Sequence, residues 1–336
     1  MILLVTPAPV DSPHGNGVTA RRWAGILREL GRPVEIGNGF RDGDFTALLA
    51  LHARKSADAI RAFHAAHPGA PIVIALTGTD LYPDLSAAGV DPAVLALATR
   101  LVVLQPRGLA QLGPELARRT DVILQSVPAI PARPPRTDCF EVAFLAHLRP
   151  VKDPLRLAAA VRRLPEDSRI RVTHLGEARD HALAAEAVAE SAGNPRYDWV
   201  GPVPRTEALA VLARSRLLAL TSLHEGGANV VSEALAARVP VISSKIPGSI
   251  GLLGAEYPGY FPAGDTAALA SLLYSLEKDR DGLYQALVAR CASLNPSVDP
   301  LLEKRAFAAM LEKIGLPVPR PHQVEKLGSG GSPSSA

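Results

Sequence analysis

Two glutamates with seven residues between them, Glu225 and Glu233, bracket the segment Gly226-Gly-Ala-Asn-Val-Val-Ser232. A leucine- and alanine-rich run precedes it and Pro240-Val-Ile-Ser-Ser244 follows, so the stretch reads as strand, glycine turn, helix opening at about Asn229, and strand. The first turn of a helix has amide N–H groups without carbonyl partners and carries the positive end of the helix dipole, which suits an anion. Glu225 in the turn and Glu233 one turn into the helix then reach opposite ends of one extended ligand. A nucleotide sugar has that form. Carboxylates accept paired hydroxyls, and Gly226, Gly227, Ala228, Asn229 and Val230 offer backbone to a diphosphate. The plain alternative is a solvated loop acid followed by a surface helix acid.

Further polar residues stand where other strands should end. His14-Gly-Asn16-Gly17 follows the first strand and opens a helix carrying Arg21 and Arg22; its small residues admit a phosphate close to the backbone, which assigns Asn16 and Gly17 to the donor. Leu51-His52-Ala-Arg54-Lys55-Ser56 joins a strand to a helix capped by Ser56 and sets His52, Arg54 and Lys55 at a cleft mouth, as an acceptor site. Thr77-Gly-Thr-Asp80 closes another strand, with Thr77 and Asp80 on the acceptor side, or with Asp80 capping its own turn. Gln105 and the pair Gln125-Ser126 end strands as polar lining. In the second half, His147, Arg149 and Lys152 follow a strand and face the diphosphate from the side opposite the Asn229 helix. Lys152 opens a helix, where the dipole disfavours a cation, and that supports a ligand role. With Glu225 these three form the catalytic group. The loops His174-Leu-Gly176 and Gly201-Pro-Val203-Pro-Arg205 can hold a flat base. Each of these turns has a solvated-surface reading as well.

The elements that must position these residues alternate along the chain. Its 336 residues suffice for two domains, 47% are hydrophobic and only 4% aromatic, so Leu, Val and Ala must build both cores. A formal charge of +3, with basic residues dispersed among acids, gives no nucleic-acid surface. Cys139 and Cys291 make neither a metal-ligand pair nor a disulfide framework. Met1-Ile-Leu-Leu-Val-Thr-Pro7 is neither signal peptide nor membrane span, which predicts a cytoplasmic protein. Strands are predicted at Ile2–Thr6, Val34–Ile36, Ala47–Leu51, Ile72–Leu76, Leu101–Gln105 and Val122–Gln125, with helices such as Thr19–Leu30 and Ala57–Ala66 between them. The pattern restarts with strands at Val142–Ala146, Ile170–Leu175, Tyr197–Val200, Leu217–Thr221, Val239–Ser243 and Gly259–Pro262, then helices at Ala267–Leu276, Gly282–Ala292 and Leu301–Ile314. This gives an α/β protein of two doubly wound, Rossmann-like domains facing across a cleft. Residues 1–127 form the acceptor domain, 128–138 a proline-rich linker, 139–298 the nucleotide-sugar domain and 299–315 a closing helix. The proline- and glycine-rich tail, 316–336, is predicted to be disordered.

The acid, seven residues, acid spacing together with Lys152 resembles the second domain of GT-B glycosyltransferases, in the large retaining group that uses nucleotide sugars. Two positions depart from that group. His147 stands where an arginine is usual, with Arg149 as its substitute, and Thr77 stands where an acceptor-side histidine is usual. A closer resemblance runs to about residue 315. Asn16-Gly17 with Thr19-Ala-Arg-Arg-Trp23, Ala50-Leu-His-Ala-Arg-Lys-Ser-Ala57, Leu76-Thr-Gly-Thr-Asp-Leu-Tyr82, Leu101-Val-Val-Leu-Gln-Pro106, Glu225-Gly-Gly-Ala-Asn229 and Pro258-Gly-Tyr-Phe-Pro262 are together similar to the selenosugar synthases of selenoneine biosynthesis, the SenB group. That resemblance implies transfer of N-acetylglucosamine from UDP-N-acetylglucosamine to selenophosphate, forming a C–Se bond and releasing UDP and phosphate. It also implies functional coupling to a selenophosphate-producing enzyme. Selenophosphate is already anionic near neutral pH, so an acceptor base is dispensable and cationic orientation by His52, Arg54 and Lys55 takes its place. No cofactor is implied. The lack of an Asp-x-Asp motif at a strand end, with helix and lysine groups for the phosphates, favours metal independence. An ordinary UDP-sugar glycosyltransferase with an alcohol or thiol acceptor, a catalytically idle sugar-nucleotide-binding module and an epimerase remain as alternatives.

Overall fold

Ala47-Leu-Leu-Ala-Leu51 and Ile72-Val-Ile-Ala-Leu76 are apolar at every position and buried at every position, as parallel strands covered on both faces must be. In the computed structural model, which describes residues 1–7, 9 and 15–318, they are β3 and β4 of a six-stranded sheet. Its other strands are β1 (Ile2–Val5), β2 (Val34–Gly37), β5 (Arg100–Val103) and β6 (Thr120–Val122), in the order β2-β1-β3-β4-β5-β6. A second six-stranded sheet holds β7 (Phe140–Leu145), β8 (Ile170–Leu175), β9 (Tyr197–Gly201), β10 (Leu217–Leu220), β11 (Val241–Ser244) and β12 (Tyr260–Phe261), in the order β12-β11-β10-β7-β8-β9. All pairings are parallel, so every strand of a sheet ends on the same side. These are two Rossmann-like layers with helices on both faces.

The first sheet is covered on one face by Ile60 and Phe63 of the helix Ala57–Ala66 and on the other by Trp23 and Leu27 of the helix Gly15–Glu29. The helix Pro300–Lys313 returns to this domain: Phe307, Met310 and Leu311 are buried with Trp23, and the Trp23 and Phe307 rings meet edge-on at 4.9 Å. The chain therefore crosses between domains twice. The crossings are tied to each other, because Val127 N–H donates to Val298 O at 3.0 Å.

Several boundaries differ from expectation for local reasons. β5 stops at Val103 and β6 at Val122, because Gln105, Gln125 and Ser126 leave their sheets for side-chain partners described below. The first helix opens at Gly15, four residues before the expected Thr19. Lys152 does not open an α-helix: it ends a short 3-10 turn, Pro150–Lys152, after which Asp153 turns left-handed at φ +44° and the α-helix starts at Arg156. Ser56 stands at the N-cap position of the helix Ala57–Ala66 without capping it, since its hydroxyl donates to Leu51 O at 2.7 Å. Leu316 and Val318, expected in a disordered tail, pack against the first core. Residues 319–336 and His14 lie outside the described residues. Among the described residues no helix is long and apolar enough to cross a membrane.

Candidate active site

The strand ends of the second sheet bring the donor-side residues together. After β10 the turn carrying Glu225 runs against the 3-10 turn carrying Lys152, and two contacts fix this: Thr221 Oγ1 donates to Lys152 O at 2.8 Å and Leu223 N–H donates to Val151 O at 2.9 Å. Lys152 Nζ then lies 2.5 Å from Glu225 Oε1, to which Ser222 Oγ also donates at 2.7 Å. The helix opens at Asn229 as expected. Glu233, within it, lies 2.6 Å from Arg205 Nη2. Burial pushes the Glu233 carboxyl above its ordinary pKa, opposed by Arg205 and Arg22. Each glutamate of the spaced pair thus carries its own cation.

The loops expected to hold a base are anchored from below. Gly176 follows β8 so close to β7 that a β-carbon on it would lie 1.9 Å from Ala146 O, so no other residue fits. Trp199 Nε1 donates to Gly176 O at 3.0 Å. His147 Nδ1 accepts from the Glu177 amide at 3.1 Å, so the imidazole expected among the catalytic residues also holds this loop. His174 is buried, with Nε2 2.8 Å from Ala146 O and Nδ1 2.6 Å from the Tyr197 hydroxyl. Desolvation lowers its pKa to about 4, so it sits there neutral. Val203 is half-buried and Arg205 exposed on the neighbouring loop.

On the acceptor side His52 and Asp80 are both buried, with His52 Nδ1 2.6 Å from Asp80 Oδ1 and Nε2 2.9 Å from Thr79 Oγ1, while Thr77 is half-buried; of the two roles expected for Asp80, it takes that of capping its own turn. Asp80 accepts from the amides of Thr77 at 2.9 Å and of Ala53 and Arg54 at 3.3 Å, and from the Thr77 hydroxyl at 3.2 Å. It is therefore the pin between two loops, and its oxygens are committed. Arg54 and Lys55 stay on the surface of the loop so fixed. From the second domain Arg149 is exposed as well, and among the described residues none of these three has an ion-pair partner. The Lys55 ammonium lies below its ordinary pKa, first through partial desolvation, then through repulsion from Arg149 and Arg54, against the pull of Asp80. Lys55 and Arg149, from different domains, are near enough to repel each other.

The two glycines of the donor turn have a second reason to be glycine. A β-carbon on Gly226 would lie 2.3 Å from Gly78 N, and one on Gly227 would lie 2.5 Å from Leu104 Cβ, so the turn packs backbone to backbone on the first domain. Their smallness serves domain contact, not only close approach of a phosphate. Gln105, expected as cleft lining, is buried there, donating to the Tyr82 hydroxyl at 3.1 Å. The Asn229 side chain also faces the first domain, accepting from Arg22 Nη1 at 3.2 Å, which leaves its backbone for a ligand. Gly15, Asn16 and Gly17 form the first turn of the adjoining helix. Two residues escaped the sequence reading: His224, directly before Glu225, and Tyr82, whose rings stack across the boundary at 6.2 Å and 6°. Nothing in local spacing pairs them, since one belongs to each domain. Among the described residues no three His, Cys, Asp or Glu side chains gather as metal ligands.

Residues 129–291 match the family model described as glycosyl transferases group 1. No curated protein matches the chain in sequence. Among solved structures, HepE from Anabaena in complex with UDP is 16% identical with a TM-score of 0.72, over 93% of this chain and 99% of that one. Sucrose-phosphate synthase from Thermosynechococcus elongatus is 14% identical with a TM-score of 0.75, over 94% and 98%. The pneumococcal O-GlcNAc transferase GtfA, in complex with UDP and GlcNAc, is 13% identical with a TM-score of 0.60, over 80% of this chain and 57% of that one. The fold is that of the GT-B glycosyltransferases, and the match to the group 1 model lies in the second domain.

Proposed function

We propose that the protein transfers N-acetylglucosamine from UDP-N-acetylglucosamine to selenophosphate. The observation that carries the reading is a set of exposed cations from both domains, Arg54 and Lys55 on one side and Arg149 on the other, that have no ion-pair partner among the described residues and of which Arg54 and Arg149 both repel Lys55. Like charges held together at a cleft cost free energy that an anion between them recovers. A neutral alcohol acceptor gives no reason for them; a small oxyanion does. The UDP and UDP-glucose bound by HepE, and the UDP and GlcNAc bound by GtfA, support a UDP-sugar donor. The selenium rests on the resemblance of the sequence motifs.

In this reading Glu233 accepts the ribose hydroxyls beside Arg205, and Gly176 and Val203 line the base. Lys152 and the amides opening the Asn229 helix stabilise the leaving diphosphate. Glu225, held by Lys152 and Ser222, accepts sugar hydroxyls. Selenium, anionic and soft, attacks the anomeric carbon as the C–O bond to UDP breaks, and water then takes the phosphoryl group from selenium. The acceptor must come from an enzyme that phosphorylates reduced selenium. Incubation with UDP-N-acetylglucosamine or UDP-glucose and selenophosphate, thiophosphate or glycerol, followed by UDP release and product mass, tests the assignment. A selenosugar formed faster than any glycerol glycoside is expected. Turnover with glycerol alone would replace the acceptor, and no UDP release with any of them would leave a binding module.

A further inference from the structure

Thr19, Arg22 and Trp23 lie in a sequence motif for which the proposed reaction has no use, yet each places its polar atom in one buried network. Arg22, in the helix Gly15–Glu29, is a guanidinium with 15% of its side chain exposed, and such a group must find acceptors. Its Nε donates to both oxygens of Glu303, at 3.2 and 3.0 Å, and its Nη1 to Asn229 Oδ1 at 3.2 Å. The fully buried Glu303 side chain also accepts from Trp23 Nε1 at 2.7 Å and from the Ser126 amide at 2.9 Å. Gln125 completes the set. With its amide turned to satisfy both sides, Nε2 donates to Gly227 O at 2.9 Å and Asn229 Oδ1 at 3.1 Å, while Oε1 accepts from Arg22 Nη2 at 3.0 Å and Thr19 Oγ1 at 2.8 Å.

The place of this network in the fold gives it a consequence. Ser126 and Glu303 flank the paired crossings at Val127 and Val298, where any relative rotation of the domains must be accommodated. Asn229 is the first residue of the helix whose amides face the diphosphate. Arg22 stands between the two, with Glu303 neutralising it on the crossing side and Asn229 accepting from it on the donor side. We propose that Arg22 is a positioning residue that latches the donor helix to the interdomain crossing, fixing where the phosphate-binding amides stand relative to the acceptor domain. The latch needs the domains closed as they are in this structure, and it rests on the donor lying at the Asn229 helix.

The test is a double-mutant cycle with Arg22→Gln and Asn229→Ala, read by kcat, by UDP affinity in calorimetry and by small-angle scattering of the ligand-free protein. Asn229→Ala leaves the Arg22–Glu303 pair intact, so a folding failure of Arg22→Gln does not end the test. Each single variant is expected to lower kcat about tenfold, to keep UDP Kd within about threefold, and to broaden the scattering profile. The double variant should be no worse than the poorer single, because both break one link. Multiplying effects in the double variant would overturn the latch, as would a UDP Kd weakened as much as kcat, which places the side chains on the ligand. If the wild type binds no UDP, the donor reading fails while scattering still decides the latch: profiles superimposable on wild type would overturn it.

Discussion

Buried histidines anchor the cleft-facing loops in both domains, with opposite electrostatic company. In the second domain His174 hydrogen-bonds to neutral groups, the Ala146 carbonyl and the Tyr197 hydroxyl, and burial, helped by repulsion from His147, keeps it neutral. In the first domain His52 meets a carboxylate, Asp80, which also gathers the amides of Ala53, Arg54 and Thr77. The charges that face the cleft are arranged the other way round. The donor-side acids Glu225 and Glu233 are largely buried and paired with Lys152 and Arg205, whereas on the acceptor side the acid is fully buried and the exposed cations Arg54 and Lys55 have no ion-pair partner among the described residues. A polyhydroxyl ligand can share a paired carboxylate with its cation. In the proposed reading an exposed cation over a committed acid takes an anion from solution, and this asymmetry would separate a site for a sugar nucleotide from a site for an oxyanion.

The largest effect that would break the comparison comes from Asp80. If it is the organising acceptor of this loop, Asp80→Ala leaves the amides of Thr77, Ala53 and Arg54 without their partner and should cost about 1–3 kcal/mol of unfolding free energy for each group left buried and unsatisfied, measured by denaturant titration. A loss below about 1 kcal/mol, within the range of exposed ion pairs, would show that the loop is held by other contacts. Arg54 and Lys55 would then lose their fixed platform.

His174 gives the next effect, and its sign follows from the direction of its shift. Its folded pKa of about 4 lies below the ordinary 6.5, so the fold favours the neutral ring. This contribution is complete above about pH 6.5, where the unfolded chain is also neutral, and it declines as pH falls because the unfolded chain gains a proton first. It is lost as pH passes through about 4. The difference between 6.5 and about 4, worth about 3 kcal/mol, should appear as a steeper loss of stability between pH 6.5 and 4 in the wild type than in His174→Asn. Parallel curves for the two proteins would contradict the neutral pin.

The extent to which the site could be read from sequence follows the range of each interaction. Ala47–Leu51 and Ile72–Leu76 are legible to the residue because burial of a parallel strand on both faces writes an unbroken apolar run. The Glu225 turn and the Asn229 helix were legible because a strand, a glycine turn and a helix follow one another locally. What spacing does not encode is which of two outcomes a polar loop residue meets. Asp80 was equally an acceptor ligand or a cap until His52, 28 residues earlier, was found against it. The pairing of Arg22 with Glu303 spans 281 residues, and the stack of Tyr82 on His224 joins two domains. Gly226 reads as a phosphate turn because its other neighbour, Gly78, belongs to the other domain.

The smallest effect sharpens the comparison most. Replacing Arg54 and Lys55 together with glutamine leaves Asp80, His52 and the loop backbone in place, and removes only the outward charges. If they hold the acceptor anion, acceptor KM should rise or kcat fall by about tenfold, near 1.4 kcal/mol and on the scale of one charge-assisted contact, while UDP affinity by calorimetry stays within about threefold. Repulsion from Arg149 is relieved at the same time, so the ligand-free variant should be no less stable than the wild type. The same charges predict a salt dependence: acceptor KM should climb with ionic strength in the wild type and flatten in the variant. Unchanged acceptor kinetics would make the pair a solvated basic turn. A collapse of UDP affinity would instead assign both cations to the donor, and the division of the cleft into a paired, sugar-nucleotide side and an unpaired, oxyanion side would have to be redrawn around Lys152 and Glu225.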